Sequence, residues 1–293
     1  MRKWIIPAAL ALLAAALVWP VRADATSDEM EKLGGVPLGE GATGWRFARC
    51  DDATLAKMPD PGAPFVLDLS DTHVTDAGLK RLAKMENLAH LLLRGTRVSD
   101  AGMQHLGGLR RLVILDLTAT RVGDDGMEPL GRCASLERVL LGFTDVGNSG
   151  LIHLGGLKKL AYLQLDATKV DDEGMKTLGR MKSLSNLYLS LTKVGDKGLA
   201  HLEDLDGLSS LQLRRTKVSD GGLRSLARMR SLASLNTAGS GVTDEGLAVL
   251  RTARPGLNRG GFAGKGSKGT WGSTDGPGMG KAKAKAKNRG EDD

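Results

Sequence analysis

Two cysteines, five histidines and a few Gly-Lys dipeptides are the side chains of this 293-residue sequence that could do chemistry, and their spacing argues against most of it. Gly264-Lys265 is followed by Gly266 and Gly280-Lys281 by Ala282, so neither completes a phosphate-cradling GK[ST] ending. HExxH and GxSxG are both missing. His105, His153 and His201 recur at equal intervals, at the same helical position of every second repeat. Two helix spacings, ~16–20 Å, are too far for a shared ion whose ligands must lie ~2 Å from it. They read as solvent-facing helix residues, and Cys50 and Cys133 as buried small hydrophobes. No catalytic residue, metal or cofactor is expected, and no small-molecule substrate.

The side chains suited to recognition fall in register. Ile114, Arg138, Tyr162 and Asn186 are evenly spaced, and Leu140, Gln164, Tyr188 and Gln212 follow at the same interval. Both tyrosines of the chain lie in these two columns, and Phe143 and Leu191 stand just beyond, where neighbouring units have Gly95, Ala119 or Ala167. If each unit adds one strand, ~4.8 Å from the next, then Ile114, Leu140, Phe143, Tyr162, Tyr188 and Leu191 form one exposed apolar patch. Arg138, Asp166, Arg214 and Arg215 are its expected charged border, with Gln164 inside it.

The elements that would hold those columns follow from the period. From Phe65 to Leu257 the sequence repeats eight times with a period of 24, with Thr72, Thr96, Thr120, Thr144, Thr168, Thr192, Thr216 and then Ser240 in one column, and valine two places on in every unit. In Leu163-Gln164-Leu165 the leucines point one way and the glutamine the other, as in a strand with one buried face. Asp172 precedes Gly174, Met175, Leu178 and Met181, whose spacing makes a helical stripe. Aspartate there is expected to cap the first turn of its own helix, with Asn148 as the exception among Asp76, Asp100, Asp124, Asp196, Asp220 and Asp244. The threonines read as a buried ladder satisfying backbone groups.

These units resemble leucine-rich repeats of the ribonuclease-inhibitor or cysteine-containing subtype, LxxLxLxxTxVxDxGLxxLxxL, over about two thirds of the chain. The resemblance implies an α/β fold: a right-handed solenoid, horseshoe or arc, with a parallel sheet on the concave face and short helices on the convex face. It also implies a binding module rather than an enzyme. One unit cannot fold alone, because its few buried side chains do not offset the ordering of its whole backbone, so the stack needs ends.

Counting back one period puts Trp45 on a strand leucine, Cys50 on the valine and Asp52 on the aspartate, so 41–64 reads as a degenerate capping repeat. In the last unit Thr237 replaces a core leucine and Pro255-Gly256 displaces the final one. Residues 26–40 read as a linker. Residues 258–293, with ten glycines and Lys281, Lys283, Lys285 and Lys287 alternating with alanine, read as a disordered basic tail. Residues 1–25, with Arg2 and Lys3, an apolar run from Ile5 to Val18, and Ala23 and Ala25, read as an export signal, giving an extracytoplasmic location, periplasmic or secreted.

The net charge of +7 comes from Arg2, Lys3 and Arg22 together with an excess of four cations beyond Leu257. The body between is neutral, which counts against a nucleic-acid partner. A protein is the expected partner of the concave face, with a glycan as the alternative. A second reading is an envelope-associated structural protein whose tail contacts an anionic polymer or membrane surface.

Overall fold

The computed structural model describes residues 25–39 and 43–257. Ten strands form one sheet in chain order: β1 (Gly35–Pro37), β2 (Gly44–Phe47), β3 (Phe65–Asp68), β4 (Leu88–Leu92), β5 (Ile114–Asp116), β6 (Arg138–Leu140), β7 (Tyr162–Gln164), β8 (Asn186–Tyr188), β9 (Ser210–Gln212) and β10 (Ser234–Asn236). β1 pairs antiparallel with β2, and every later pair is parallel. From β4 onward each residue faces its equivalent one repeat later, as in Tyr162 beside Asn186 and Leu163 beside Leu187.

Each turn of the solenoid is built around alternation. The central residues of the strands, Leu91, Leu115, Val139, Leu163, Leu187, Leu211 and Leu235, are fully buried, and so is Leu165 one strand period beyond Leu163. Their neighbours face the open side of the sheet. The chain then turns through the threonine column, where Thr72 Oγ1 donates to the Leu69 carbonyl at 2.6 Å and Thr168 to Leu165 at 2.7 Å. Ser240 repeats the bond to Thr237 at 2.7 Å. A hydroxyl three places after a carbonyl closes the turn from inside the core, where water cannot. Short helices such as Asn148–Leu154 and Asp172–Leu178 return on the other side and bury Leu151, Leu154, Met175 and Leu178 against the strand leucines.

The aspartate column does not cap its own helices. Asp76 accepts the backbone N–H of Ser99 at 2.7 Å, Asp100 that of Gly123 at 2.6 Å, Asp124 that of Gly147 at 2.6 Å, Asp172 that of Gly195 at 2.7 Å and Asp220 that of Thr243 at 2.8 Å. Each carboxylate therefore fastens its own rung to the next one. Capping falls to the preceding residue where that residue can do it, as at Thr75, Asp171 and Thr243. The expected role fails for a geometric reason: the side chain reaches along the stack to the next rung's amide instead of back over its own, and at Asp76, Asp100, Asp172 and Asp196 the aspartate is itself the first helical residue.

The glycine two places after each aspartate is the other half of this fastening. A Cβ at Gly78, Gly102, Gly174 or Gly198 would lie 2.5 Å from the side-chain oxygen of Asp52, Asp76, Asn148 or Asp172 on the rung before. Only hydrogen leaves room for the carboxylate.

Asn148 departs from the column where its counterpart on the next rung is Asp171, a position at which the other seven full repeats have Ser, Thr or Gly. The amide accepts from the Asp171 N–H at 3.1 Å and donates Nδ2 to the Asp171 carboxylate at 2.7 Å. An aspartate there would set two carboxylates together.

The ends carry the main departures. Residues 26–40, expected to be a linker, instead contain the helix Ala25–Lys32 and strand β1, with Met30 fully buried and Phe47 beneath. The amphipathic placement of Met30 among Asp28, Glu29 and Glu31 lets that helix cover the open end of the core, so it is part of the folded body. In the following turn Trp45 lies beside Leu67, the Cys50 carbonyl accepts from the His73 N–H at 2.9 Å, and Asp52 accepts from the Thr75 N–H at 2.8 Å. At the other end the Arg254 guanidinium donates to the carbonyls of Met229, Arg230 and Leu232, tying the last rung to the one before it. The readings of residues 1–24 and 258–293, export signal and basic tail, lie outside the described residues.

Asn148→Asp is expected to lower the urea midpoint by the equivalent of about 1–3 kcal/mol, and adding Asp171→Gly is expected to restore most of the loss. Equal midpoints for parent and single variant would show that the Asn148–Asp171 pairing contributes nothing.

Candidate functional site

The open face of the sheet is lined by the second and fourth residues of each unit, and it divides along its length. In the first third, His90 and Asp68 are 2% exposed and Asp116 is 8% exposed. Asp68 approaches Arg46 at 3.4 Å and accepts from the Ser70 N–H at 3.0 Å, and Asp116 accepts from the Thr118 N–H at 2.8 Å. Burial raises the Asp116 carboxyl above its usual range, opposed by those hydrogen bonds from Thr118. Neither ring nitrogen of His90 has a partner among the described residues, and burial, reinforced by the Arg138 charge, pushes its imidazole down to about 4.

Ile114 belongs to this packed floor. Expected in the exposed patch, it is instead 3% exposed, because His90 and Arg138 flank it in register on the adjacent strands and side chains on the inner side of a curved sheet converge.

The middle third holds the remaining apolar candidates. The Tyr162 and Tyr188 rings lie on adjacent strands with centroids 5.0 Å apart and planes 35° from parallel. The Arg138 guanidinium stands 5.8 Å from the Tyr162 ring centre, within range of a cation–π contact. The Tyr162 hydroxyl is driven far above the usual phenol range, first by burial and then by Tyr188 and Asp166, so the ring is a neutral contact group. Leu140, Tyr162, Gln164 and Tyr188 are half-buried. Gln164 is already engaged: its Nε2 donates to Asp166 at 2.8 Å, and Asp166 accepts from the Ser190 N–H at 2.7 Å. Arg214 lies further along, half-buried, with Arg215 exposed beside it.

Phe143 and Leu191 are 47% and 40% exposed, and their backbones are left-handed, at φ 58° and 62°. The whole column shares that conformation, from Asp71 through Gly95, Ala119, Ala167 and Arg215 to Gly239. An L-residue there costs about 1–2 kcal/mol, and bulky side chains are uncommon. Sequence reasoning noticed the bulk at these two positions but not the backbone beneath it. The signal was present in Gly95 and Gly239, glycines at one position of the repeat.

Among the described residues the other candidate groups lie apart. The Cys50 and Cys133 thiols are buried and free, and burial raises them to about 12 and about 11, so neither is a thiolate at neutral pH. His153 and His201 are exposed and His105 half-exposed. Among the described residues no three His, Cys, Asp or Glu side chains are grouped to hold a metal ion. A shallow hollow on the helix side, lined by Lys176, Arg180, Lys182, His201 and Asp204, joins no nucleophile to a base. No helix among the described residues is long and apolar enough to cross a membrane.

Comparison with known proteins agrees with this geometry. A family model described as "Leucine Rich repeat" matches residues 66–83 and 110–131. The fold is a leucine-rich-repeat solenoid. It is similar to the crystal structure of internalin C2 from Listeria monocytogenes, at 20% identity and a TM-score of 0.50, covering 73% of this chain and 92% of that one. A second internalin of that organism matches at 15% identity and a TM-score of 0.53, covering 82% and 90%. A leucine-rich-repeat protein of Leptospira interrogans matches at 16% and 0.50, covering 66% and 53%. No curated protein matches the sequence. At these identities the likeness concerns the solenoid itself; the residues on the face are this chain's own.

Two outcomes follow for stability. Leu191→Gly relieves the left-handed strain, about 1–2 kcal/mol, against about 0.5–1 kcal/mol of added unfolded-state entropy. The urea midpoint should therefore hold or rise, whereas a loss near the ~2–5 kcal/mol of a core Leu→Ala would make Leu191 a packing residue. His90→Leu removes two unpartnered nitrogens and should raise stability by about 1–3 kcal/mol near neutral pH. Because the folded imidazole titrates below the unfolded value of about 6.5, the unfolded chain alone takes up a proton as pH falls from about 6.5 toward about 4. The parent should lose stability across that window and His90→Leu should lose less. Asp116 acts with the opposite sign in both proteins and drops out of the difference.

Proposed function

We propose that the protein is an exported binding module whose concave sheet face engages a protein partner through the patch of Leu140, Phe143, Tyr162, Tyr188 and Leu191, bordered by Arg138 and Arg214. The observation that carries this reading is the placement of Phe143 and Leu191. Two large apolar side chains stand exposed on rungs two apart, at a backbone conformation that favours glycine and that costs energy to hold. Folding gains little from either, so a use outside the fold is the better account of them. The paired tyrosines beside them supply large, semi-rigid contact area at small entropic cost, the usual make-up of a hot spot.

A protein fits better than a glycan because an aliphatic Leu191 and a phenyl Phe143 call for apolar side chains opposite them. Export rests on the character of residues 1–25, and the neutral body with its dispersed serines, histidines and acids favours binding over catalysis.

The test is crosslinked capture from an extracytoplasmic fraction, comparing the parent with Phe143→Ala/Leu191→Ala and with Tyr162→Ala/Tyr188→Ala. Each double variant is expected to lower recovery of the captured partner about tenfold or more, the loss of one or two hot-spot residues. A His153→Ala/His201→Ala control on the helix side is expected to capture normally. Undiminished capture by both patch variants would remove the reading.

A further inference from the structure

The last third of the face differs from the first two in having cations without acids. From β8 to β10 its inward positions are Asn186, Tyr188, Ser210, Gln212, Ser234 and Asn236, and its rim carries Ser190, Leu191, Lys193, Arg214, Arg215 and Lys217, then Ala238, Gly239 and Gly241. None of these residues is a carboxylate. Lys193, Arg215 and Lys217 are exposed and Arg214 is half-buried.

Their rungs are held in step by the backbone. The Lys193 N–H donates to the Val170 carbonyl at 3.1 Å, and the Lys217 N–H to that of Val194 at 2.8 Å. The Arg215 N–H donates to the Ala238 carbonyl at 2.9 Å, and its left-handed φ of 52° continues the column of Phe143 and Leu191. The carboxylates that adjoin this stretch are engaged within the stack: Asp166 accepts from the Ser190 N–H and the Gln164 amide, and Asp196 and Asp220 each fasten one rung to the next through Ser219 and Thr243. Asp171, on the rim before Lys193, is held by Glu173 and Asn148 and feels Lys193 and Lys217 only as a lesser influence. Among the described residues none of Lys193, Arg214, Arg215 and Lys217 makes a salt bridge, so their charged donors stand beside the apolar patch without an ionic partner.

Resting on the binding reading above, we propose that the partner's contact element is an acidic polypeptide segment. Its apolar side chains would lie over Phe143, Tyr162, Tyr188 and Leu191, and its carboxylates over Lys193, Arg214, Arg215 and Lys217. Arginine forks suit carboxylates through paired donors, and the row of amides and hydroxyls from Asn186 to Asn236 suits the peptide groups of an extended segment. The exposed phenyl and aliphatic groups favour side chains over sugar rings.

The experiment uses the full-length chain and a fluorescent random copolymer of glutamate and tyrosine as probe. Lys193→Gln/Arg214→Gln/Arg215→Gln/Lys217→Gln is expected to weaken copolymer binding about tenfold or more and to flatten its salt dependence. The basic residues beyond 257 are present in both proteins and cannot produce the difference. Equal binding by parent and four-site variant would overturn the proposal. So would binding of polygalacturonate, or of phosphatidylglycerol vesicles, as tight as the copolymer and equally sensitive to the four changes. If the four-site variant weakens binding while Phe143→Ala/Leu191→Ala does not, the charge assignment stands and the apolar-patch reading falls. Matching urea midpoints confirm that all variants are folded.

Discussion

Everything in this solenoid depends on one contact repeated down the stack: a carboxylate on one rung accepting the backbone N–H of the next, over a glycine that has no side chain to obstruct it. A single rung buries too little to fold, so stability must come from the interface between rungs. A hydrogen bond to a charged group contributes about 1.5–3 kcal/mol where it is sheltered, and here it adds to the backbone ladder and the apolar contact that join neighbouring units on their other sides. It also sets register. Leucine against leucine tolerates sliding, whereas Asp172 reaches the Gly195 amide in one alignment only. The Asn148–Asp171 pair keeps the contact where an aspartate would have opposed another carboxylate.

That rigidity is what lets the face carry recognition. Because each rung repeats the same backbone, a change of one side chain leaves its neighbours in place, and the open face can vary while the core does not. It has varied into three regions: a packed floor around His90 and Asp116, a paired-tyrosine centre, and a rim of cations. The floor is the most fixed of these, since buried aspartates satisfied by backbone amides cannot be moved cheaply. The centre and rim are where side chains project, and three of them, Phe143, Leu191 and Arg215, do so from left-handed backbone that glycine would occupy with less strain.

The same architecture keeps the candidate chemical groups of the described residues apart. Convergence of a nucleophile, a base and a stabilising donor on one point needs chain segments that approach from different directions. A solenoid spreads equivalent positions along a line instead, so His105, His153 and His201 remain rungs apart and Cys50 and Cys133 end within the core. What a line of positions can do is match an extended partner.

How much of this could be read in advance follows from the range of the forces involved. The repeat itself, the strand alternation around Leu163 and Leu165, the buried threonine column and the end rung at Trp45 follow from patterns within a single repeat, where side-chain period alone separates inside from outside. Three things could not be read. The helix Ala25–Lys32 has weak amphipathic character by itself and is helical because Met30 finds the open end of the core. Asp172 looks like a helix cap along the chain, and only the stack brings the Gly195 amide to it. Ile114 and Tyr188 occupy equivalent faces of their strands, yet one is buried and the other half-exposed, because what covers a side chain on this face is the side chain one rung away. Residue identity therefore determined the rungs and their order, whereas exposure, charge balance and backbone strain on the face were decided by lateral packing between rungs, a full repeat apart in sequence and ~4.8 Å apart in space.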